Sequence, residues 1–321
     1  MSFQIVPLQP EYLQDAAALV ATRYQALRQR TPLLPAQYEK VNVLLPMLQE
    51  LADVPGVATL RSGRLVGFLA GFVISQFLGK RAVYSPEWAN GAEMDDVRRI
   101  YEEMYAHLSG QWAADGCATH LVTLLAHDRA SLEAWQWLGF GLAGVDGLRT
   151  LQPVDAAGAQ VAVRLAKAED AAEVTALTQA LERHMAAPPT FWPHELEDCA
   201  EWVQASNGAI WLAQEGGQTV GCMAVGPANP DACAIIQDKG TASIVLAITH
   251  EAARSHGIAT RLLNQSLVWA AAQGYERCAV DFEAMNRLAV RFWMRWFEPI
   301  CYSLQRTIPD QTVGVPATRQ G

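Results

Sequence analysis

The chain has no C-x-x-C pair, no basic run, no long apolar stretch and comparatively little charge, and each shortage removes a class of protein. The six cysteines (Cys117, Cys199, Cys222, Cys233, Cys278, Cys301) are scattered with no Cys/His spacing suited to zinc, so no metal is expected. Without clustered Lys and Arg, and with a net charge of −9, the chain is a poor match to nucleic acid, whose phosphates need concentrated positive charge. No uninterrupted apolar run reaches bilayer length, and Met1-Ser2-Phe3-Gln4-Ile5-Val6 lacks the basic start and apolar core of a signal peptide. The expectation is a soluble, cytoplasmic protein with reduced thiols and no membrane partner. Charged residues are 18 % of the chain against roughly 25 % in ordinary domains, which implies a large buried fraction or an extensive domain interface. An acidic balance mildly favours cationic substrates such as amines.

What the chain does have is length and repetition. Its 321 residues exceed the usual single-domain size, so two domains are expected. Phe3–Leu8 followed by Glu11–Leu19 reads as a strand and a helix, and Val161–Leu165 followed by Ala168–Leu177 reads the same way. A hairpin comes next in each half. Val57–Arg61 turns at Ser62-Gly63 into Leu65–Gly71, and Ile210–Gln214 turns at Gly216-Gly217 into Thr219–Val225. The ends also match, Ala134–Phe140 with Arg291–Phe297. The Pro- and Gly-containing run Gln152–Ala159 marks the join, and the aperiodic tail after Ile308 is expected to be mobile. The division is therefore 1–151, 160–308 and a tail at 309–321.

The chemistry concentrates in Ile244–Leu263, which reads as a buried strand, a tight turn around Gly257 and the start of a helix. Such a junction presents unpaired backbone N–H groups and the positive end of a helix dipole, a site for an anion. Arg254-Ser255-His256-Gly257-Ile258-Ala259 fits [Q/R]-x-x-G-x-[G/A], and Asn286-Arg287-Leu288-Ala289 opens a later helix after the strand Cys278–Glu283. In these segments the chain resembles the GCN5-related N-acetyltransferase (GNAT) superfamily. The resemblance covers 161–308 well and 3–151 more weakly. It implies an α/β architecture of two tandem domains, each a mixed sheet flanked by helices.

The resemblance also implies roles. Ala247, Ile248 and Thr249 would offer backbone groups to the pantetheine arm of acetyl-CoA, the co-substrate. Arg254, Ser255, His256, Gly257, Ile258, Ala259 and Thr260 would cradle its diphosphate, and Asn286 would hold the arm, a plain helix cap being the competing account. Gly257 suits a close backbone approach, and His256 is a weak phosphate contact rather than a catalyst. Trp293 stands where many members carry a Tyr that protonates the departing thiolate, and indole is no acid at neutral pH. Either water or Tyr302 would take that role. Glu251 replaces a usual Pro, and Trp296 a usual Gly. Strand alternation puts Asp281 and Glu283 on one face, where a carboxylate would take the proton of an attacking ammonium. Asp281 also matches a carboxylate that members acetylating protein N-termini carry five residues before the helix Asn. His250 is a weaker base candidate. The loop Glu182–His194, with its prolines and aromatics, borders the acceptor site in the family.

The first half departs where the cofactor would bind. Asp95 and Asp96, not a glycine turn, precede its central helix, and carboxylates there repel a diphosphate. The expected protein is an acetyl-CoA-dependent N-acyltransferase. Its C-terminal copy acts on a primary amine, most simply of a small molecule, and its N-terminal copy is degenerate. Two alternatives stay open: a non-catalytic acyl-CoA-binding scaffold, and an acetyltransferase acting on protein N-termini or lysines. A monomer and a homodimer fit equally.

Overall fold

The structure is a computed structural model in which residues 3–156, 161–193, 207–309 and Val313 are described. His194, Cys199, the end of the expected join at 157–160 and nearly all of the tail lie outside the described residues. Among the described residues no helix is long and apolar enough to cross a membrane. The chain forms two compact units, 1–145 with 233–235 and 300–321, and 146–232 with 236–299.

The first unit opens with β1 (Gln4–Pro7), α1 (Leu13–Arg30) and α2 (Val41–Gln49). The expected hairpin follows as β2 (Gly56–Arg61) and β3 (Arg64–Ala70). Its turn residues Ser62 and Gly63 both take positive φ, 53° and 80°, the geometry whose twist matches two antiparallel strands. A second hairpin, β4 (Phe72–Phe77) and β5 (Lys80–Ser85), precedes the short β6 (Asn90–Ala92). Then come α3 (Val97–Ala114), β7 (Thr119–Leu125) and α4 (Arg129–Trp137). One sheet has the order β1-β2-β3-β6. In the other, β4, β5 and β7 are joined by residues 300–307 of β14 (Glu298–Thr307) and 141–145 of β8 (Gly141–Thr150). The core between sheet and helices holds Tyr101, Tyr105, Trp112, Trp135 and Phe140, packed largely edge to face.

The second unit repeats the plan with β9 (Ala162–Leu165), α5 (Ala171–Ala186), the hairpin β10 (Ala209–Glu215) and β11 (Gln218–Pro227), β12 (Thr241–Thr249), α6 (Ile258–Ala272), β13 (Arg277–Glu283) and α7 (Arg287–Trp296). Its sheet runs from 146–150 of β8 through β13, β12, β11 and β10 to β9. Val174 and Leu177 of α5 pack on Ile210, Leu212, Cys222, Ala224, Leu246 and Ile248.

The compact units thus differ from a simple cut of the chain at 151/160. The C-terminal strand β14 pairs antiparallel with β7 in the first unit, from Cys301 opposite Leu125 to Thr307 opposite Thr119. The end of β8 serves the second unit. Local sequence carries no information on which sheet edge each segment completes.

Candidate acyl-CoA site

The second unit builds its site on a parallel pair that stops pairing early. β12 and β13 pair over four rungs, Thr241 with Arg277 to Ile244 with Val280, and the ladder ends there. Both strands continue, β12 to Thr249 and β13 to Glu283. On its other side β12 stays paired with β11 out to Thr249. The register with β11 skips Val245, because Ala224 faces Leu246 whereas Val225 faces Ile244. A one-residue bulge bends its strand and sharpens the twist. It sits where β12 parts from β13, so the two strands open into a wedge. The edge of β12 carrying Ala247, Ile248 and Thr249 faces that wedge unpaired with β13.

At the end of β12 the chain makes one short helical turn, Glu251–Ala253, despite lacking the expected Pro. Arg254 donates from Nε to the Thr249 carbonyl at 3.3 Å, tying the turn back to the strand. Ser255, His256 and Gly257 are exposed, Ser255 in the left-handed region at φ 67°. Helix α6 starts after Gly257, which has φ 77°, and no side chain caps it. At this end Arg261 N–H donates to the Gly257 carbonyl at 3.0 Å. The N–H groups of Ile258, Ala259 and Thr260 therefore open the helix with no intrahelical acceptor, at the positive end of its dipole. Residues 254–260 form one continuous turn into the helix, with free amides at its start.

Asp281 and Glu283 share a face of β13, with Val280 and Phe282 buried on the other. Solvent reaches Asp281, yet surrounding protein strips enough hydration to raise its carboxyl above the usual carboxylate range. Asn229 Nδ2 donates to Asp281 Oδ1 at 3.1 Å and partly offsets that rise, and the negative charge of Asp231 adds to it. Glu283 is raised by burial and by Asp281. Both carboxyls are thereby better proton acceptors than free ones.

Asn286 caps α7, accepting from Ala289 N–H at 3.2 Å. Its amide also reaches Met185 Sδ at 3.3 Å, and His184 Nε2 stands 3.4 Å from its Oδ1. The cap reading of Asn286 is realised, and α5 holds the side chain from behind. Trp293 is 5 % exposed, its ring 5.4 Å from that of Phe297 and nearly perpendicular to it. The Trp293 indole is thus largely enclosed by its neighbours. Helix α7 runs straight into extended Phe297 without the left-handed exit that Gly139 (φ 82°) gives α4. Tyr302 lies opposite Leu124 in the first unit's sheet. Sequence reasoning missed Asn229, which sits on a loop with no motif around it, whereas His184 falls in the segment 182–194 but at the end of α5 rather than in a loop.

The first unit has the same wedge, filled. Strands β5 and β7 also pair in parallel over four rungs, ending at Ser85 with Val122. Beyond them Asn90 Nδ2 donates to the Thr123 carbonyl at 3.2 Å and to the Pro86 carbonyl at 2.9 Å. Asp128 caps α4 six residues after the last rung, as Asn286 caps α7. Its Oδ2 is taken by Arg23 Nη2 at 2.5 Å, and Arg23 also reaches the Asn90 carbonyl at 3.3 Å. Tyr101 donates to Asn90 Oδ1 at 3.1 Å. Helix α3 begins after Asp96, left-handed at φ 64°, whose carboxylate binds Arg61 at 2.9 Å. Trp135, seven residues past Asp128, is buried like Trp293 past Asn286.

A parallel pair splayed by a bulge, an uncapped helix start after it and an Asn-capped helix beyond form a recognisable set. Residues 177–297 match the model of the Acetyltransferase (GNAT) family. They form a GNAT domain. No curated protein sequence matches the chain significantly. Among solved structures, a GCN5-related N-acetyltransferase from Sphaerobacter thermophilus is 14 % identical, with TM-score 0.59 over 95 % of each chain. A tandem GNAT protein from the clavulanic acid biosynthesis pathway is 15 % identical, with TM-score 0.51 over 99 % of this chain and 100 % of that one. The GCN5-related glucosamine N-acetyltransferase region of a fungal multi-domain β-N-acetylglucosaminidase is 13 % identical, with TM-score 0.55 over 95 % of this chain and 38 % of that one. The chain has the GNAT fold in tandem.

Proposed function

We propose that the second unit binds acetyl-CoA and transfers its acetyl group to a primary amine, while the first unit binds no cofactor. The observation that carries this reading is the open wedge of β12 and β13 leading onto the bare start of α6. When bound, acetyl-CoA supplies an activated acyl carbon. The amides of Ile258, Ala259 and Thr260 bind its diphosphate. The free edge of β12 pairs with its amide arm as an added strand would, and its N–H groups stabilise charge on the thioester oxygen. Asp281, with Glu283 beside it, takes the proton of the incoming ammonium directly or through water. The thiolate is a good leaving group that draws its proton from solvent, so the tryptophan at 293 is no obstacle.

Trp293 in the core, where it offers no acid, also favours a second reading as a non-catalytic acyl-CoA binder. Calorimetry with acetyl-CoA and thiol release with polyamines, aminoglycosides, amino acids and peptides separate the two. The proposed function predicts binding and thiol release with at least one amine class. Binding without any thiol release leaves only the scaffold. Release confined to peptide acceptors selects the protein acetyltransferase alternative. Gly257→Gln, which puts a side chain on a left-handed residue beside the free amides, should weaken acetyl-CoA binding at least tenfold while the far-ultraviolet spectrum is kept. Unchanged affinity removes the diphosphate site.

A further inference from the structure

The loop between β11 and β12 brings one side chain to Asp281, and its geometry leaves little freedom. Asn229 N–H donates to Ser243 Oγ at 2.9 Å, which fixes the residue to the start of β12. Its own Oδ1 accepts from Asp231 N–H at 3.1 Å. Because that oxygen is committed to a backbone donor, the amide cannot flip, and Nδ2 must face Asp281 Oδ1, 3.1 Å away. The Ala232 N–H bond to the Asn229 carbonyl at 3.2 Å and the Gln237 Nε2 bond to the Ala232 carbonyl at 2.7 Å brace the loop behind it.

We propose that Asn229 is the positioning residue of Asp281, holding Oδ1 so that Oδ2 is presented to the amine and favouring the ionised carboxylate. This inference rests on the reading of Asp281 as the proton acceptor. A donor held on one oxygen makes the other the less encumbered site for a transferring proton. It also opposes burial and like charge at that carboxyl, acting in the same sense as a backbone hydrogen bond at Asp281. Asp231 from the loop and Glu283 from the same strand both disfavour its charge, as does loss of hydration. Strand β12 carries no ionisable residue between Thr241 and Thr249. On β8 the ionisable residues of the second unit are Asp146 and Arg149, and Arg149 is turned to Trp296 and Phe297. Asn229 is thus the side chain whose hydrogen bond favours the Asp281 carboxylate against burial and neighbouring negative charge.

The test reads Asp281 directly in the full chain, by titrating the side-chain carboxyl carbons of 13C-aspartate-labelled protein, with Asp281→Asn assigning the resonance. In Asn229→Ala the Asp281 midpoint should move about one pH unit upward, a tenfold change in its proton affinity. Asn229→Asp should move it further, since a second like charge replaces the donor. Ser243→Ala, which loosens Asn229 without touching Asp281, should give a smaller shift of the same sign. An Asp281 midpoint unmoved in Asn229→Ala and Ser243→Ala overturns the inference. Failure of the underlying reading looks different: thiol release with the best amine acceptor would be undiminished in Asp281→Asn, whatever the titration shows.

Discussion

Replacing Arg23 with Met tests whether the first unit's wedge is closed by a buried ion pair. The guanidinium meets Asp128 at 2.5 Å, and the two side chains are only 11 % and 10 % exposed. Burial alone would raise the Asp128 carboxyl, but Arg23 and the bonds from Ser131 bring it below its ordinary value. Met keeps the volume and removes the charge, leaving a carboxylate held only by Ser131 N–H at 3.0 Å and Oγ at 2.7 Å. Stranding a buried charge in this way costs about 3–5 kcal/mol. Protonation sets a ceiling. An Asp with an unfolded pKa near 3.9 can be neutralised at pH 7 for about 4 kcal/mol, and the ceiling falls by about 1.4 kcal/mol for each pH unit below that. The sign follows from the direction of the shift. In the parent the depressed carboxyl adds stability above the unfolded pKa and loses it as pH falls. In the variant the carboxyl is raised, so its penalty shrinks as pH falls. Native-state hydrogen exchange at β7 amides should show a loss of about 4 kcal/mol at pH 7 and about 1.5 kcal/mol at pH 5. A loss below about 1 kcal/mol at pH 7, or one equal at both pH values, refutes the ion-pair account. Acetyl-CoA affinity should not change, because the proposed site lies in the other unit.

Further outcomes follow from single groups. His120 is 1 % exposed, its Nδ1 paired with Tyr105 Oη at 2.8 Å, and burial lowers its pKa to about 4. A depressed histidine costs stability as pH falls from its unfolded value near 6.5 to about 4, in total about 3 kcal/mol. The same exchange measurement in His120→Phe should lack that slope, and a slope equal to the parent's contradicts the buried neutral ring. For Asp281→Asn, thiol release should lose the rise with pH that follows Asp281 deprotonation, whose midpoint is raised above an ordinary carboxyl. A pH profile identical to the parent's takes Asp281 out of the mechanism.

Much of the architecture is legible in the residues. The paired positive-φ turns at Ser62-Gly63 and Gly216-Gly217 lie between runs that alternate, so both hairpins appear where local chemistry puts them. Gly257 marks the start of α6 because a left-handed residue there suits glycine. The placement of β8 and β14 was not legible, since only tertiary pairing decides which edge each completes. Nor was the filled wedge, whose residues Arg23, Asn90, Tyr101 and Asp128 are far apart in sequence and meet only in the fold. Trp293 looked like a lost acid in a motif, but the matching Trp135 shows that the position takes a core indole in either unit.

A crystal structure of the full chain with acetyl-CoA tests the central claim most directly. The account predicts the diphosphate against the amides of Ile258, Ala259 and Thr260, with the arm along Ala247–Thr249. Cofactor seated in the first unit, or a second unit with the β12–β13 wedge empty at saturating acetyl-CoA, would contradict it.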